Sequence, residues 1–449
     1  MRCLRRGLAV RLVAAVCILA SPLPAAAQEA SVVRARWVVL HAGALLANPG
    51  RAPVSEATVV VADGRIVDVR AGYVEAADLP DAAGAEVETI DLRNSFVLPG
   101  LIDAHTHITS EYSAGIRLER LQRSDADSAL LGVEYARRTL LAGFTTVRNV
   151  GSSGDAAFAL RDAIRHGIVP GPRMLVAGES ITPTGGHSDA TLGYRPGLFD
   201  LPGAIDGICD GSASCRRAVR AQVKRGADVI KLTATGGVLS NTSAGTEQQF
   251  FEDELEAIVK TGHLLGRKVA AHAHGAQGIN AALRAGVDSI EHGTYLDAES
   301  VLLFVQTGAF LVPTVLAGKT VEERARIAGY YPPPVVKKAL EVGPTIQAAL
   351  ARAHKGGVRI AFGTDSGVSS HGENAREFVY MVEAGMNEME VIVAATTAGA
   401  ELLGLSDRIG TLEPGKLADL IATERNPLID ITELQRVSFV MKGGVVHSP

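Results

Sequence analysis

The stretch V-L-P-G-L-I-D-A-H-T-H, residues 97–107, joins an apolar run to two histidines that are separated by a single residue. In an extended strand residues i and i+2 point to the same face, so His105 and His107 lie side by side where the run ends. Neutral imidazole is a common ligand of zinc and similar cations. The pair therefore predicts half of a metal site, which further ligands would have to complete.

Further candidate ligands follow other short apolar runs. They are Lys231 in V-I-K-L-T, His272 and His274 in A-A-H-A-H, His292 in S-I-E-H and Asp365 in F-G-T-D-S. Each has an ordinary alternative, because a lysine can extend its ammonium to solvent, a histidine can be hydrogen-bonded in a core and an aspartate can cap a helix. Their recurrence at the ends of separate runs favours one shared metal centre.

The middle of the chain, residues 99–406, alternates strand-like apolar runs with helical patterns such as 253–265 and 278–285. This alternation is typical of parallel β-α-β units. The strand-like runs are 98–105, 145–150, 173–177, 229–233, 269–274, 289–292, 310–314 and 359–364. Eight such repeats predict an α/β fold of the (β/α)8 TIM-like barrel type, whose active site lies at the C-terminal ends of the strands.

Residues 28–98 and 407–449 hold short β-runs instead. V-V-V-A-D-G-R-I-V-D-V at 59–69 contains an Asp-Gly pair between two β-runs, which is a strong hairpin signal. Near the C-terminus, 417–422 and 437–446 are further β-runs, with Lys442-Gly443-Gly444 as a turn. The pattern predicts a small β-sandwich domain built from both termini.

Residues 1–27 have the features of a cleaved export signal. Four arginines precede the apolar run 12–20, and Ala25-Ala26-Ala27 supplies a small-x-small cleavage site. A membrane anchor is the alternative, but the apolar run is too short to span a bilayer comfortably. We expect cleavage near Ala27, a periplasmic or secreted protein, and no stable membrane insertion.

Cleavage there removes four arginines and no acid, which takes the formal net charge from −5 to −9. An acidic mature protein argues against nucleic acid as a partner. Cys209 and Cys215 are the cysteines that remain. In an oxidising compartment they can close a small loop disulfide, with two free thiols or a metal pair as the alternatives.

Taken in order, D-A-H-T-H, V-I-K, A-A-H-A-H, E-H-G and G-T-D-S resemble the motifs of the amidohydrolase superfamily, and L-E-P-G-K-L-A-D-L at 412–420 resembles its return to the β-domain. P-T-G-G-H at 183–187, T-A-T-G-G-V at 233–238 and L-V-P-T at 311–314 are similar to its binuclear branch. That branch includes prolidase-like, imidazolonepropionase-related and ochratoxin-degrading hydrolases.

The resemblance implies two divalent cations, with zinc as the first choice, and a role for each candidate residue. His105, His107 and Asp365 would bind the first cation, His272 and His292 the second, and Lys231 would bridge both after carboxylation by carbon dioxide. Burial lowers the pKa of a lysine, which leaves a neutral amine able to react in this way. His274 and His187 would face the substrate, and Asp365 would also accept the proton of the attacking water.

The implied activity is hydrolysis of the amide bond in small N-acyl amino acids or dipeptides, Xaa-Pro dipeptides and ochratoxin-A-like amides among them, by a hydroxide that bridges the cations. Hydrolysis of cyclic amides or lactones is one alternative, and a non-catalytic exported binding protein is another. The resemblance also implies a homo-oligomer, with an octamer as one form. Candidates for holding a substrate carboxylate are Tyr194, Arg195, Tyr295 and Lys319.

Overall fold

The computed structural model describes residues 37–82, 84–195, 197–242 and 245–447, which form a mixed α/β structure. The predicted signal segment 1–27 lies outside the described residues. In the part that is described, no helix is both long enough and apolar enough to cross a membrane.

Strands and helices alternate through most of the chain. The strands are β1 (Trp37–Leu45), β2 (Val54–Ala62), β3 (Arg65–Ala71), β4 (Val87–Pro99), β5 (Leu101–Thr106), β6 (Phe144–Asn149), β7 (Arg173–Val176), β8 (Val229–Thr233), β9 (Lys268–Ala273), β10 (Ser289–His292), β11 (Phe310–Val312), β12 (Arg359–Ile360), β13 (Leu420–Thr423), β14 (Val437–Lys442) and β15 (Val445–His447). The helices are α1 (Ile116–Gln122), α2 (Asp125–Leu141), α3 (Ala156–Arg165), α4 (Ser212–Arg225), α5 (Glu252–Leu264), α6 (Ala276–Ala285), α7 (Ala298–Thr307), α8 (Val315–Ala325), α9 (Pro333–Lys355), α10 (Arg376–Glu383), α11 (Glu388–Ala394) and α12 (Thr397–Leu403).

Strands from both ends of the described chain form one seven-stranded sheet, in the order β15-β14-β13-β4-β1-β2-β3. The predicted hairpin is confirmed, because β2 and β3 pair antiparallel on either side of Asp63 and Gly64. Both turn residues have the positive φ, 48° and 77°, that a type I′ turn requires. The predicted sandwich is not confirmed. The long strand β4 pairs with β1 and with β13, so hydrogen bonds join all seven strands in a single sheet.

The eight strands β5 to β12 are parallel and overlap the eight predicted runs. The first run is divided, since Leu98 and Pro99 belong to β4, and the last strand is shorter than predicted, 359–360 instead of 359–364. They form a three-stranded sheet, β5-β6-β7, and a five-stranded sheet, β12-β11-β10-β9-β8. Backbone hydrogen bonds also join the edges of the two sheets. Ile181, beyond β7, donates to Lys231 of β8 at 2.8 Å, and Ala104 of β5 donates to Phe362, beyond β12, at 2.9 Å. Helices connect successive strands, as the alternating pattern predicts.

These strands are buried on both faces, as expected for parallel strands covered on each side. Every residue of β5, β6, β8 and β10 is buried. Leu101, Ile230, Ile290 and Phe362 belong to one large core cluster, which also includes Ile421 of the seven-stranded sheet. Polar side chains such as Arg148 and Glu291 are buried within the strands as well, and most candidate ligands lie in the last residues of a strand or just beyond it.

A disulfide joins Cys209 and Cys215, as the loop-disulfide prediction expects, and both residues are buried. The backbone N–H of Cys209 donates to the carbonyl of Thr182 at 3.0 Å. The neighbouring Asp210 accepts hydrogen bonds from the backbone and the hydroxyl of Thr184, at 3.1 and 2.6 Å. The disulfide loop is therefore bonded to the segment that leads to His187.

Candidate metal centre

The histidine pair at the end of β5, His105 and His107, lies close to Asp365, which follows β12. The potential ligand atoms of His105, His107 and Asp365 all lie within 4.8 Å of one another. The Nε2 atoms of the two imidazoles lie 3.4 and 3.1 Å from Oδ1 of Asp365. The Nδ1 atom of His107 donates to the carbonyl of Gly151 at 2.8 Å, and that of His105 lies 2.7 Å from Oε2 of Glu291. With the proton on Nδ1, each Nε2 lone pair is left for another partner.

Asp365 has the properties expected of a cation ligand. Its Oδ1 is buried and receives no hydrogen bond from the described residues. Its backbone has a φ of 59°, a left-handed conformation that few non-glycine residues adopt and that recurs at functional sites. Two imidazole lone pairs and a carboxylate oxygen that converge without a hydrogen-bond donor fit a bound divalent cation.

A second group lies at the ends of β9 and β10. The potential ligand atoms of His272, His274 and His292 are also within 4.8 Å of one another, and the three rings are 4.7 to 4.9 Å apart. His274 and His292 each pair Nδ1 with a hydroxyl, that of Thr294 at 2.8 Å and that of Thr314 at 2.7 Å. The family resemblance assigned His272 and His292 to the metal and His274 to the substrate, whereas the geometry places all three in one group.

Burial keeps these imidazoles neutral. It lowers the pKa of His272 and of His292 well below the usual value, and that of His274 to about 4. Neighbouring imidazoles add to the effect at His272 and His292, because positive charge on one disfavours protonation of the next. Neutral imidazole is the form that binds divalent cations.

Lys231 lies on β8 and is 4% exposed. Burial lowers the pKa of its ammonium to about 8, against the opposing effect of the carboxylates of Glu291 and Asp365. The structure thus places a buried amine of reduced basicity among the charges of Glu291, Asp365 and Arg148.

His187 lies against the second group of ligands. Its ring stacks on that of His272 with centroids 4.3 Å apart, and its Nδ1 is 2.6 Å from the hydroxyl oxygen of Ser240. Burial first, and then the nearby His274 and lysines, lower its pKa to about 3. A Cβ atom at Gly237 would lie 2.2 Å from Cε1 of this ring, so only glycine allows the close approach.

Gly237→Ala is therefore expected to displace the His187 ring and lower kcat roughly 10- to 100-fold, since a shift of about 1 Å in a reacting group has effects of that size. Bound metal is expected to stay unchanged, because His187 belongs to neither group of candidate ligands. Gly203→Ala is the matched control, since its added Cβ meets nothing within 4 Å. Steady-state kinetics and metal analysis of both variants check this, and a Gly237→Ala enzyme with wild-type kcat would contradict it.

A polar layer beneath the ligands and a lysine beside them were not predicted from the sequence. Glu291 contacts Arg148 and His105; burial opposes its charge, but these two neighbours lower its pKa to about 2. Lys338 of α9 donates to the carbonyls of Gly237 and Ser240, both at 2.9 Å, and so fixes the segment that packs on His187. Glu291 could have been noticed in the sequence as the acid of the E-H-G motif, but its partners His105 and Arg148 are far away in the sequence.

The four candidates for a substrate carboxylate lie in different surroundings. The Tyr194 hydroxyl donates to the carbonyl of Arg117 at 2.9 Å, which is a structural contact. Arg195 is exposed, and Lys319 is half-buried. Tyr295 packs on an apolar cluster that includes Val238 and Tyr331. Which of them contacts substrate stays a prediction.

A model of the Amidohydrolase family matches residues 96–447. The chain belongs to the amidohydrolase family. This amidohydrolase is 32% identical over 450 residues to ochratoxinase of Aspergillus niger, in an alignment that covers 92% of this chain and 87% of that protein. It is 29% identical to imidazolonepropionase of Rhizorhabdus wittichii, over 84% of this chain and 90% of that one.

Among solved structures, a Xaa-Pro dipeptidase with methionine bound in its active site superimposes with a TM-score of 0.86. It is 42% identical, and the match covers 92% of this chain and 100% of that one. The protein is accordingly a hydrolase that acts on carbon–nitrogen bonds, of amides in particular. Its family is generally metal-dependent, and the two groups of candidate ligands agree with that.

Proposed function

We propose that this amidohydrolase cleaves the amide bond of small N-acyl amino acids or dipeptides and releases a free amino acid. The observation that carries the proposal is the convergence of two ligand groups, one of His105, His107 and Asp365 and one around His272 and His292. The named activities of the relatives support an amino acid as the released product, since one is a Xaa-Pro dipeptidase and another an ochratoxinase.

We further propose that the two parallel sheets close into one eight-stranded barrel over residues 99–406, with 28–98 and 407–449 as a small β-domain. The hydrogen bonds from Ile181 to Lys231 and from Ala104 to Phe362 support closure, because they link both pairs of sheet edges. In such a barrel the C-terminal strand ends form the active-site face. Most candidate ligands lie at or just beyond such ends, whereas Lys231 is the middle residue of β8.

In this proposal His105, His107 and Asp365 would hold one cation, His272 and His292 would hold the other, and Lys231, once carboxylated, would supply an anionic ligand to the pair. Two bound divalent cations, zinc in the first place, supply Lewis acidity and a water of lowered pKa. N/O ligands also accept manganese, cobalt or iron. The carboxylate of Asp365 would also accept the proton of the attacking water and pass it to the leaving amine.

His187 and His274 polarise the substrate carbonyl. Each has its Nδ1 paired with a hydroxyl, from Ser240 and Thr294 respectively, so each can present Nε2 to the carbonyl oxygen. Donors fixed before the reaction stabilise the oxyanion without further reorganisation. Because burial keeps both imidazoles neutral, they donate as hydrogen-bonding groups and not as acids.

Release of free amino acids by the mature, zinc-loaded protein tests this function. The panel contains Xaa-Pro dipeptides, other dipeptides, N-acyl amino acids, ochratoxin A and lactones. We expect release that stops on chelation and returns with metal, and the preferred leaving residue defines the substrate. Opening of lactones or cyclic amides alone would replace the amidase proposal with the ring-opening alternative.

Separate variants distinguish the roles of His272 and His274. His272→Asn is expected to lose one cation and roughly 10³-fold in activity, because several kcal/mol of Lewis-acid stabilisation disappear with it. His274→Asn is expected to keep both cations and lose roughly 10²- to 10³-fold in kcat, the usual cost of an oxyanion donor. Metal counts on the purified variants check the assignment. Loss of a cation from His274→Asn would instead make His274 the metal ligand and His272 the residue that faces the substrate.

We propose that the protein is exported, that it is cleaved near Ala27 and that it assembles as a homo-oligomer, with an octamer as one form. The basic, apolar and small-residue pattern of residues 1–27 supports export. The N-terminal sequence and the native mass of the protein recovered from outside the cytoplasm test both points. An intact N-terminus on a cytoplasmic protein would contradict export.

A further inference from the structure

A buried ion pair crosses the interior beneath the first group of ligands. The side chains of Glu291 on β10 and Arg148 on β6 are 0% and 2% exposed, and their Oε1 and Nη2 atoms lie 2.8 Å apart. Burying two charges costs free energy that an apolar pair of similar size would not cost. The pair therefore requires a role beyond filling the core.

The hydrogen bonds of this pair lead to His105. Arg148 donates from Nε to the carbonyl of Ala104 at 2.6 Å and from Nη1 to the hydroxyl of Ser289 at 3.0 Å. The Ser289 hydroxyl donates to Oε1 of Glu291 at 2.5 Å. The second carboxylate oxygen, Oε2, lies 2.7 Å from Nδ1 of His105. The network thus links β5, β6 and β10 and ends on one imidazole.

His105 differs in this respect from its neighbours. His107 pairs Nδ1 with the carbonyl of Gly151, and His274 and His292 pair theirs with threonine hydroxyls. In the described part of the chain, His105 is the one histidine of the two groups whose second nitrogen faces a carboxylate. A carboxylate in this position fixes the proton on Nδ1, orients the ring and increases the donor strength of Nε2.

We propose that Glu291, held by Arg148, is a positioning residue that makes the group of His105, His107 and Asp365 retain its cation more tightly than the group around His272 and His292. The inference rests on the proposed metal centre. Arg148 balances the charge of Glu291, so the site gains a strong imidazole donor without a further net negative charge.

Glu291→Gln is the decisive variant because an amide has a single oxygen. If that oxygen faces Arg148 and Ser289, the NH₂ group faces Nδ1 of His105 and forces the ring proton onto Nε2, where it blocks a ligand position. If the oxygen faces His105, the NH₂ group opposes Arg148. Either orientation makes Nε2 of His105 a weaker ligand for the cation, while the shape of the side chain at position 291 is kept.

The measurement is the zinc content of the mature protein after dialysis against graded concentrations of a chelator. Wild type is expected to lose its two cations in separate steps. In Glu291→Gln the later step is expected to move 10- to 100-fold toward lower chelator concentration, the usual effect of losing a residue that orients a ligand. His292→Ala removes a ligand of the second group and should leave only the cation at the first group. Adding Glu291→Gln to this variant should shift the release of that cation by the same factor.

Glu433→Gln is the matched control. Its buried carboxylate also contacts an arginine, Arg436 at 2.6 Å, but it lies in the short 3₁₀ helix Ile431–Gln435. Its zinc release should match wild type. Unchanged release from Glu291→Gln would overturn the inference. A wild-type protein without bound zinc would instead contradict the proposed function, and with it the basis of the inference.

Glu291→Asp covers the case in which the glutamine variant does not fold. Its carboxylate still balances Arg148 but is one methylene too short for the same bond to His105, so the same shift is expected. Wild-type retention of zinc in this variant would overturn the proposal. Failure of both variants to fold, where Glu433→Gln folds, would assign Glu291 a purely structural role and overturn it as well.

Discussion

Lys231→Ala is expected to lower amide hydrolysis roughly 10³-fold or more and to remove at least one of the two cations. A carbamate on Lys231 would supply an anionic ligand to both proposed cations, and its loss would remove several kcal/mol of stabilisation, with about 1.4 kcal/mol for each factor of ten. The structure supports a reactive amine, because Lys231 is buried and its pKa is lowered to about 8. Metal counts and kcat measured on the same preparation check the expectation.

The carbamate itself can be observed. Wild-type protein equilibrated with ¹³C-bicarbonate is expected to show one carbamate carbon resonance that is absent from Lys231→Ala. Addition of a short carboxylate such as acetate to the variant is expected to restore part of the metal content and part of the activity, because the anion can enter the space that the side chain leaves.

Lys442→Ala is the control for these measurements. Burial also lowers the pKa of Lys442 to about 8, but this lysine donates to the carbonyl of Gly171 and lies at the end of β14. Because Lys442 belongs to neither group of candidate ligands, it is expected to form no carbamate. Lys442→Ala is therefore expected to keep the carbamate resonance of the wild type and its full activity. Full metal content and full activity in Lys231→Ala would refute the bridging role.

The sequence predicted that the candidate ligands lie close together because parallel strands deliver their ends to the same edge of a sheet, and the structure brings most of them into two groups. Each ligand candidate ended an apolar run, and period-two alternation brought His105 and His107 to one face. The same alternation placed His272 beside His274, and the structure brings both to His292. Alternation could not decide whether His272 or His274 binds metal, since both side chains point to the same face of β9.

The supporting residues could not be predicted because they depend on the spatial order of strands. Arg148 and Glu291 lie 143 positions apart, and each is flanked by residues typical of a buried strand. Lys338 is one basic residue on a long helix, and only the packing of α9 brings it to Gly237. The single seven-stranded sheet also escaped prediction, since it depends on β4 pairing on both sides.

Asp365→Asn is expected to lower kcat roughly 10³- to 10⁴-fold. General acid–base catalysis alone accounts for about 10²- to 10⁴-fold, and the loss of an anionic ligand adds to it. Asparagine tolerates the left-handed backbone that Asp365 adopts, with its φ of 59°, so the substitution removes charge without adding strain. The neutral amide is also a weaker cation ligand than a carboxylate, so the variant is expected to bind less metal at His105 and His107.

Asp419→Asn separates the loss of chemistry from the loss of stability. Asp419 is also buried, and it bonds to Arg173 and, at 2.7 Å, to the backbone N–H of Gly443 in the C-terminal turn. Its replacement is expected to lower Tm while kcat per folded molecule stays at the wild-type value. For Asp365→Asn the loss is instead expected in kcat per folded molecule, because Asp365 belongs to a group of candidate ligands. An Asp365→Asn enzyme that keeps wild-type kcat would require another proton acceptor, and among the described residues no other carboxylate lies within ligand distance of both His105 and His107.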